Sequence, residues 1–148
     1  MTGGAVPRRR RDHGSVLMLM PAAVLIVLVL GAITVDLTVV RLGQRELIAA
    51  AGDAANDAAT YGLDESALRA GRGYAIDAAR AEAAVLASLD AKGLLDRLAT
   101  PPAVTIADDG TVEVRLVRAV PYVFAKALPG IDHETTVRGI GAARLVVD

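Results

Sequence analysis

VLMLMPAAVLIVLVLGAITV, residues 16–35, decides how this chain is built: twenty residues without one charged side chain, twelve of them Leu, Ile or Val. As a helix rising about 1.5 Å per residue, the stretch reaches roughly 30 Å, the thickness of a bilayer's hydrocarbon core. Each Leu, Ile or Val favours insertion by roughly 0.3–0.6 kcal/mol, so together they favour it by roughly 5 kcal/mol before Pro21 and Gly31 are discounted. Asp36 closes the stretch. A carboxylate at the midplane would cost about 2.5–3.5 kcal/mol, but at the end of a span the interface can solvate it.

On the N-terminal side stand four arginines, Arg8, Arg9, Arg10 and Arg11, whereas beyond the span Arg41 and Arg45 are offset by Asp36 and Glu46. This asymmetry predicts a cytoplasmic tail over 1–14, a transmembrane helix over 15–36 and an extracytoplasmic remainder, so a single-pass protein of the cytoplasmic (inner) membrane. A cleavable signal peptide is the rival reading. The apolar run is longer than the roughly 7–15 residues of a signal core, and Leu30 and Ala32 make no small-x-small cleavage site.

Of the 148 residues, about 110 remain outside, enough for one modest core. A net charge of −1 gives the chain no basic footprint for nucleic acid, and the arginine cluster is explained by topology or by contact with anionic lipid. Cysteine is absent, which excludes both a disulfide framework and a thiol nucleophile. Aromatic residues are Tyr61, Tyr74, Tyr122 and Phe124 only, while alanine is abundant at 49–59 and 75–91. Alanine favours helix and lets helices approach closely, as in bundles and assemblies; codon bias gives the same composition.

Residues 37–62 contain no proline and predict that the span continues outward as a membrane-proximal helix, with Gly62 as its left-handed cap. The head, 63–148, begins with a short turn broken at Gly71 and Gly73. A helix capped by Asp77 follows, in which Ala81, Val85 and Leu89 recur at i, i+4 and i+8, and Gly93 ends it. Pro101 and Pro102 close the helical half. Strand 104–107, the Asp108, Asp109, Gly110 turn and strand 111–120 read as a hairpin with Val112, Val114, Leu116 and Val120 on one face. Residues 121–128 predict a short helix with Pro121 at its first position. Residues 135–147 predict a last strand in which Val137, Ala143, Leu145 and Val147 share a face and a bulge accommodates Gly139 and Gly141.

Catalytic chemistry finds little material. His13 falls in the cytoplasmic tail, so His133 alone cannot build a metal cluster or a triad outside. Asp108 and Asp109 lack the spaced carboxylates of a calcium loop. Asp53 and Asp57, four apart on one helix face, read as a solvated surface before a cation site. No phosphate-cradling loop follows a strand. The expectation is no enzyme, no cofactor, no metal and no small-molecule substrate. Asp36 reads either as a boundary marker or as a bridge to Arg41 or Arg45 of another copy.

Gly14, Ser15 and Val16, then Pro21 within the apolar run, then GAITVD at 31–36 and RELIAAAGDAANDAA at 45–59 resemble the TadE/TadG-like proteins of Flp (tight-adherence) pilus assembly. That family carries a Gly-Ser or Gly-Ala before the span, a Val-Asp at its end and an Ala-Ala-Asp-Ala-Ala-like run after it. The resemblance implies an α+β, pilin-like fold, with a long N-terminal transmembrane helix that continues outside the membrane and carries a small helical and antiparallel β head. It also implies contacts with other pilus or secretion subunits, or with copies of itself, through Asp36, Arg41, Arg45, Asp53, Ala54, Ala55 and Ala58. Processing in this family falls after a glycine, with glutamate fifth in the mature chain; counted from Ser15 after Gly14, the fifth residue is Leu19. The resemblance is thus to an uncleaved, membrane-retained TadG-like member. A single-pass accessory or receptor protein with a ligand- or partner-binding head is the other reading.

Overall fold

The structure, a computed structural model, describes residues 13–71, 75–127 and 129–145. Arg8, Arg9, Arg10 and Arg11 lie outside the described residues. The chain is α+β: one long apolar helix followed by short helices and a three-stranded antiparallel sheet.

Helix α1 runs without a break from His13–Tyr61, 49 residues and so about 73 Å at 1.5 Å per residue, with Pro21 inside it and with Gly14 and Ser15 in its first turns. Two short segments follow. Asp64 caps α2 (Glu65–Arg69) by accepting from the N–H groups of Ser66 and Ala67, and Asp77 caps α3 (Ala78–Ala91) by accepting from the Arg80 N–H at 3.0 Å. Helix α3 buries Ala81, Val85 and Leu89 completely, the stripe its spacing predicts, and leaves Leu86 exposed. Gly93, at φ 61°, ends it, with the Leu94 N–H reaching back to the Leu89 carbonyl at 3.0 Å.

The sheet consists of β1 (Ala103–Ile106), β2 (Val112–Pro121) and β3 (Glu134–Ala143) in spatial order β1-β2-β3. The β1–β2 turn is closed by the Gly110 N–H on the Ala107 carbonyl and the Ala107 N–H on the Thr111 carbonyl, both at 2.9 Å. Gly110 supplies the positive φ, 79°, that a three-residue hairpin loop needs at its last position.

Helix α1 lies across the inner face of β2 and β3, and α3 packs beside it. Leu47, Ala51, Ala54, Ala55 and Ala58 from α1 meet Val85 and Leu89 from α3 and Val112, Val114 and Leu116 from β2 in one buried cluster. The closeness of the layers follows from side-chain size. A Cβ added at Gly139 would lie 2.5 Å from the Leu47 carbonyl oxygen, and one at Gly141 would fall on the backbone between Ala51 and Gly52. Strand and helix thus touch backbone to backbone, with alanines on one side and glycines on the other.

Four expectations are corrected. β2 and β3 pair continuously from Val112 with Ala143 to Pro121 with Glu134, so no bulge forms; Gly139 and Gly141 stay in register, and their missing side chains admit α1. The expected helix over 121–128 does not start at Pro121, which is the last residue of β2, where its exposed position costs no interior ladder bond; Leu128 lies outside the described residues. Only a 3-10 turn, Ala125–Ala127, follows. Gly62 is not a left-handed cap: glycines with positive φ among the described residues are Gly71, Gly93, Gly110 and Gly130. A Cβ at Gly62 would instead meet the Ala58 carbonyl oxygen and, at 3.0 Å, Ala81 and Ile76, so glycine is there for close packing. β3 ends at Ala143, and residues 146–148 lie outside the described ones.

Candidate functional site

Among the described side chains of α1 below Asp36, 19–35, all are exposed except that of Ala32, which is half-buried. Met20 is 71% exposed and Leu28 65%, and Leu19, Leu25, Val27 and Leu30 are exposed with them. Each such side chain favours leaving water by roughly 1.5–3 kcal/mol, so a bare apolar helix of this length has its complement elsewhere. The helix is long and apolar enough to cross a membrane. Thr34 and Thr38 donate their hydroxyls to the carbonyls of Leu30 and Thr34 at 2.8 and 2.7 Å, which satisfies both groups within the helix.

Asp36 stands where the bare part ends, and it is buried. One carboxylate oxygen accepts from the backbone N–H groups of Val123 and Phe124 at 2.6 and 3.0 Å, the other from that of Ala125 at 2.9 Å. The partners lie 87 to 89 residues further along the chain. An ionised acceptor holding three N–H groups ties the foot of the head to α1 more firmly than neutral hydrogen bonds would. Asp36 thus stands where the uncovered run ends, and its oxygens accept three hydrogen bonds from a loop of its own chain that neither sequence reading of this residue included. Arg41 and Arg45 themselves are exposed on the uncovered face of α1.

Two to three turns higher along α1, Arg118 of β2 points inward among the valines of its face and is 6% exposed. Its guanidinium reaches the Glu46 carboxylate at 3.0 Å, and Arg97 joins the same carboxylate at 3.5 Å. Gly43 makes room, since a Cβ there would sit 2.9 Å from the Arg118 Nη2. Sequence reasoning missed this residue, although the signal was present: position 118 falls on the parity of Val112, Val114, Leu116 and Val120.

The alanines are corrected as well. Ala54, Ala55 and Ala58 are fully buried against the head of the same chain, so their surface is already used. Asp53 is exposed and ion-paired with Lys92 at the end of α3. The face of α1 that remains open above the span carries Leu37, Arg41, Leu42, Arg45 and Ile48. Among the described residues no three of His, Cys, Asp or Glu come together. The His133 carbonyl accepts from the Tyr122 N–H at 2.9 Å and so closes the loop that Asp36 holds.

Comparison of the chain with protein-family models, with curated proteins and with solved structures finds no match.

Proposed function

We propose that this protein is a non-enzymatic, membrane-anchored component of Flp/Tad-type pilus assembly or a related secretion apparatus. It sits once in the cytoplasmic membrane with its N-terminus inside and its head outside, pilin-like in plan, and acts through helix packing and subunit contacts. The observation that carries the reading is the single unbroken α1, bare and apolar over its first half and roofed by a small head over its second. The residue resemblance at 14–59 supplies the apparatus. Because Ala54, Ala55 and Ala58 are spent on the head, the contact face is the open one, with Leu42 and Ile48 as its apolar points and Arg41 and Arg45 beside them.

The chain lacks cysteine, so single cysteines report cleanly. Leu42→Cys and Ile48→Cys in the full chain should cross-link in cells to pilus or secretion subunits, while Thr105→Cys on the outer sheet face should not. Cross-linking only to unrelated proteins, together with normal piliation of a strain lacking the protein, would replace this reading by the accessory or receptor one. Protease added to intact spheroplasts should remove the head; full protection would reverse the orientation.

A further inference from the structure

The loop between β2 and β3 ends the head nearest the span and carries apolar side chains that the core does not use. Val123 is 53% exposed, Phe124 49% and Ile131 47%, and Phe124 is the chain's single phenylalanine. Isolated exposed apolar residues need no explanation, but these three share one loop. The Asp36 carboxylate fixes where the first part of the loop sits, holding the N–H groups of Val123, Phe124 and Ala125 at the top of the bare helix.

From there the loop reaches downward. Phe124 and Ala127 form one wall of a groove whose other wall is α1 at Val27, Leu28 and Val35. Nine residues separate Val27 from Asp36, about 13 Å along the helix and close to half of a hydrocarbon core about 30 Å thick. Phe124, Ala125 and Ala127 thus border a groove that runs along α1 from Asp36 down to Val27.

We infer that the loop bearing Val123, Phe124 and Ile131 is a second membrane contact, a foot seated in the lipid of the leaflet from which α1 emerges. The inference rests on the reading of α1 as a membrane span. Three features fit lipid as the occupant. The groove is continuous with the apolar surface of α1 that lipid would coat. The three backbone donors at its rim, which would be costly if unpaired in a bilayer, are all taken by Asp36. Lys126, exposed beside them, is long enough to lie along the interface with its ammonium among lipid phosphates. Asp36 is therefore a positioning residue: it satisfies the backbone of the foot and sets its depth, and the head is held upright on the membrane by two points instead of one.

The experiment places an environment-sensitive fluorophore on single cysteines of the full chain in vesicles of phosphatidylcholine and phosphatidylglycerol, with spin-labelled lipid as quencher. Leu28→Cys reports the span, Phe124→Cys the foot and Thr105→Cys the distal sheet. The label at 124 should be quenched roughly threefold more than that at 105 by a quencher near the headgroup, and Asp36→Asn should lower this difference while leaving position 28 unchanged. Quenching at 28 with none at 124 would overturn the foot alone. Absence of quenching at 28 would overturn the span and the foot with it. Cross-linking of Phe124→Cys to a second copy, in place of lipid quenching, would assign the groove to a neighbouring chain and overturn the proposal too.

Discussion

The two halves of α1 are equally helical and differ in what their side chains are for. From Leu19 to Val35 most residues are large and apolar, and all but Ala32 are exposed; from Asp36 to Tyr61 a stripe at 36, 40, 43, 47, 51, 54, 58 turns towards the head and consists mostly of small residues. The lower half leaves its apolar surface uncovered over a length that would cross a bilayer. The upper half gives up side-chain volume so that β3 can lie against the helix backbone. Large side chains suit a helix facing fluid lipid, and small ones a helix whose neighbour is a rigid strand.

The largest test of that contrast is to restore volume in the upper half. Gly141→Val should destabilise the head by more than about 4 kcal/mol, because the obstacle is the α1 backbone, which cannot rotate aside. Hydrogen exchange of the β2 amides in detergent micelles measures it, and protection unchanged from the wild type would mean that the layers are not in backbone contact. Next, the same substitution should differ between halves: Leu47→Ala, fully buried, should cost about 3 kcal/mol of head stability, and Leu28→Ala less than about 0.5. Equal costs by urea titration would erase the distinction.

A smaller effect is expected at Glu46→Ala, about 1–3 kcal/mol, since Arg118 stays buried without its carboxylate while Glu46 itself is half-exposed. A double-mutant cycle with Arg118→Met sharpens this; additive losses would show that the pair does not couple α1 to β2. Smallest is the hairpin at the far end of the head. The Thr111 N–H, first, then the Thr111 hydroxyl and Arg144, hold the Asp109 carboxyl below its usual range. A lowered pKa in the folded state gives stability that is complete above the ordinary carboxylate range and is lost as pH falls through the folded value. Protection of the Thr111 amide should therefore fall in acid in the wild type and stay flat in Asp109→Asn. An identical acid profile in the two proteins would remove the turn from this account.

Much of the fold could be read from local pattern. The long apolar helix, the Asp77 cap, the buried stripe of α3, the Gly93 stop and the inward face of β2 each depend on residues within a few positions of one another. The site was legible only in part. Asp36 was visible as an outlier at the end of a span, but its acceptors' partners come from the far side of the chain, and no local pattern links them. The alanines at 54, 55 and 58 were legible as a close-packing surface, and the partner was not: an assembly and the chain's own sheet ask for the same small side chains. Gly139 and Gly141 read as a flaw in a strand when the helix they admit was out of view.

By itself the sequence determined that this chain has an apolar helix long enough to span a bilayer, a helical segment after it and a β-rich end, because charge, periodicity and turn chemistry act over short separations. Only the tertiary structure decided that the upper half of the helix is the spine of the head, that Arg118 is buried on Glu46, and that Asp36 grips the loop at the foot of the sheet. Those depend on which surfaces meet, and a surface rich in small side chains or a single carboxylate does not name its partner until the chain is folded.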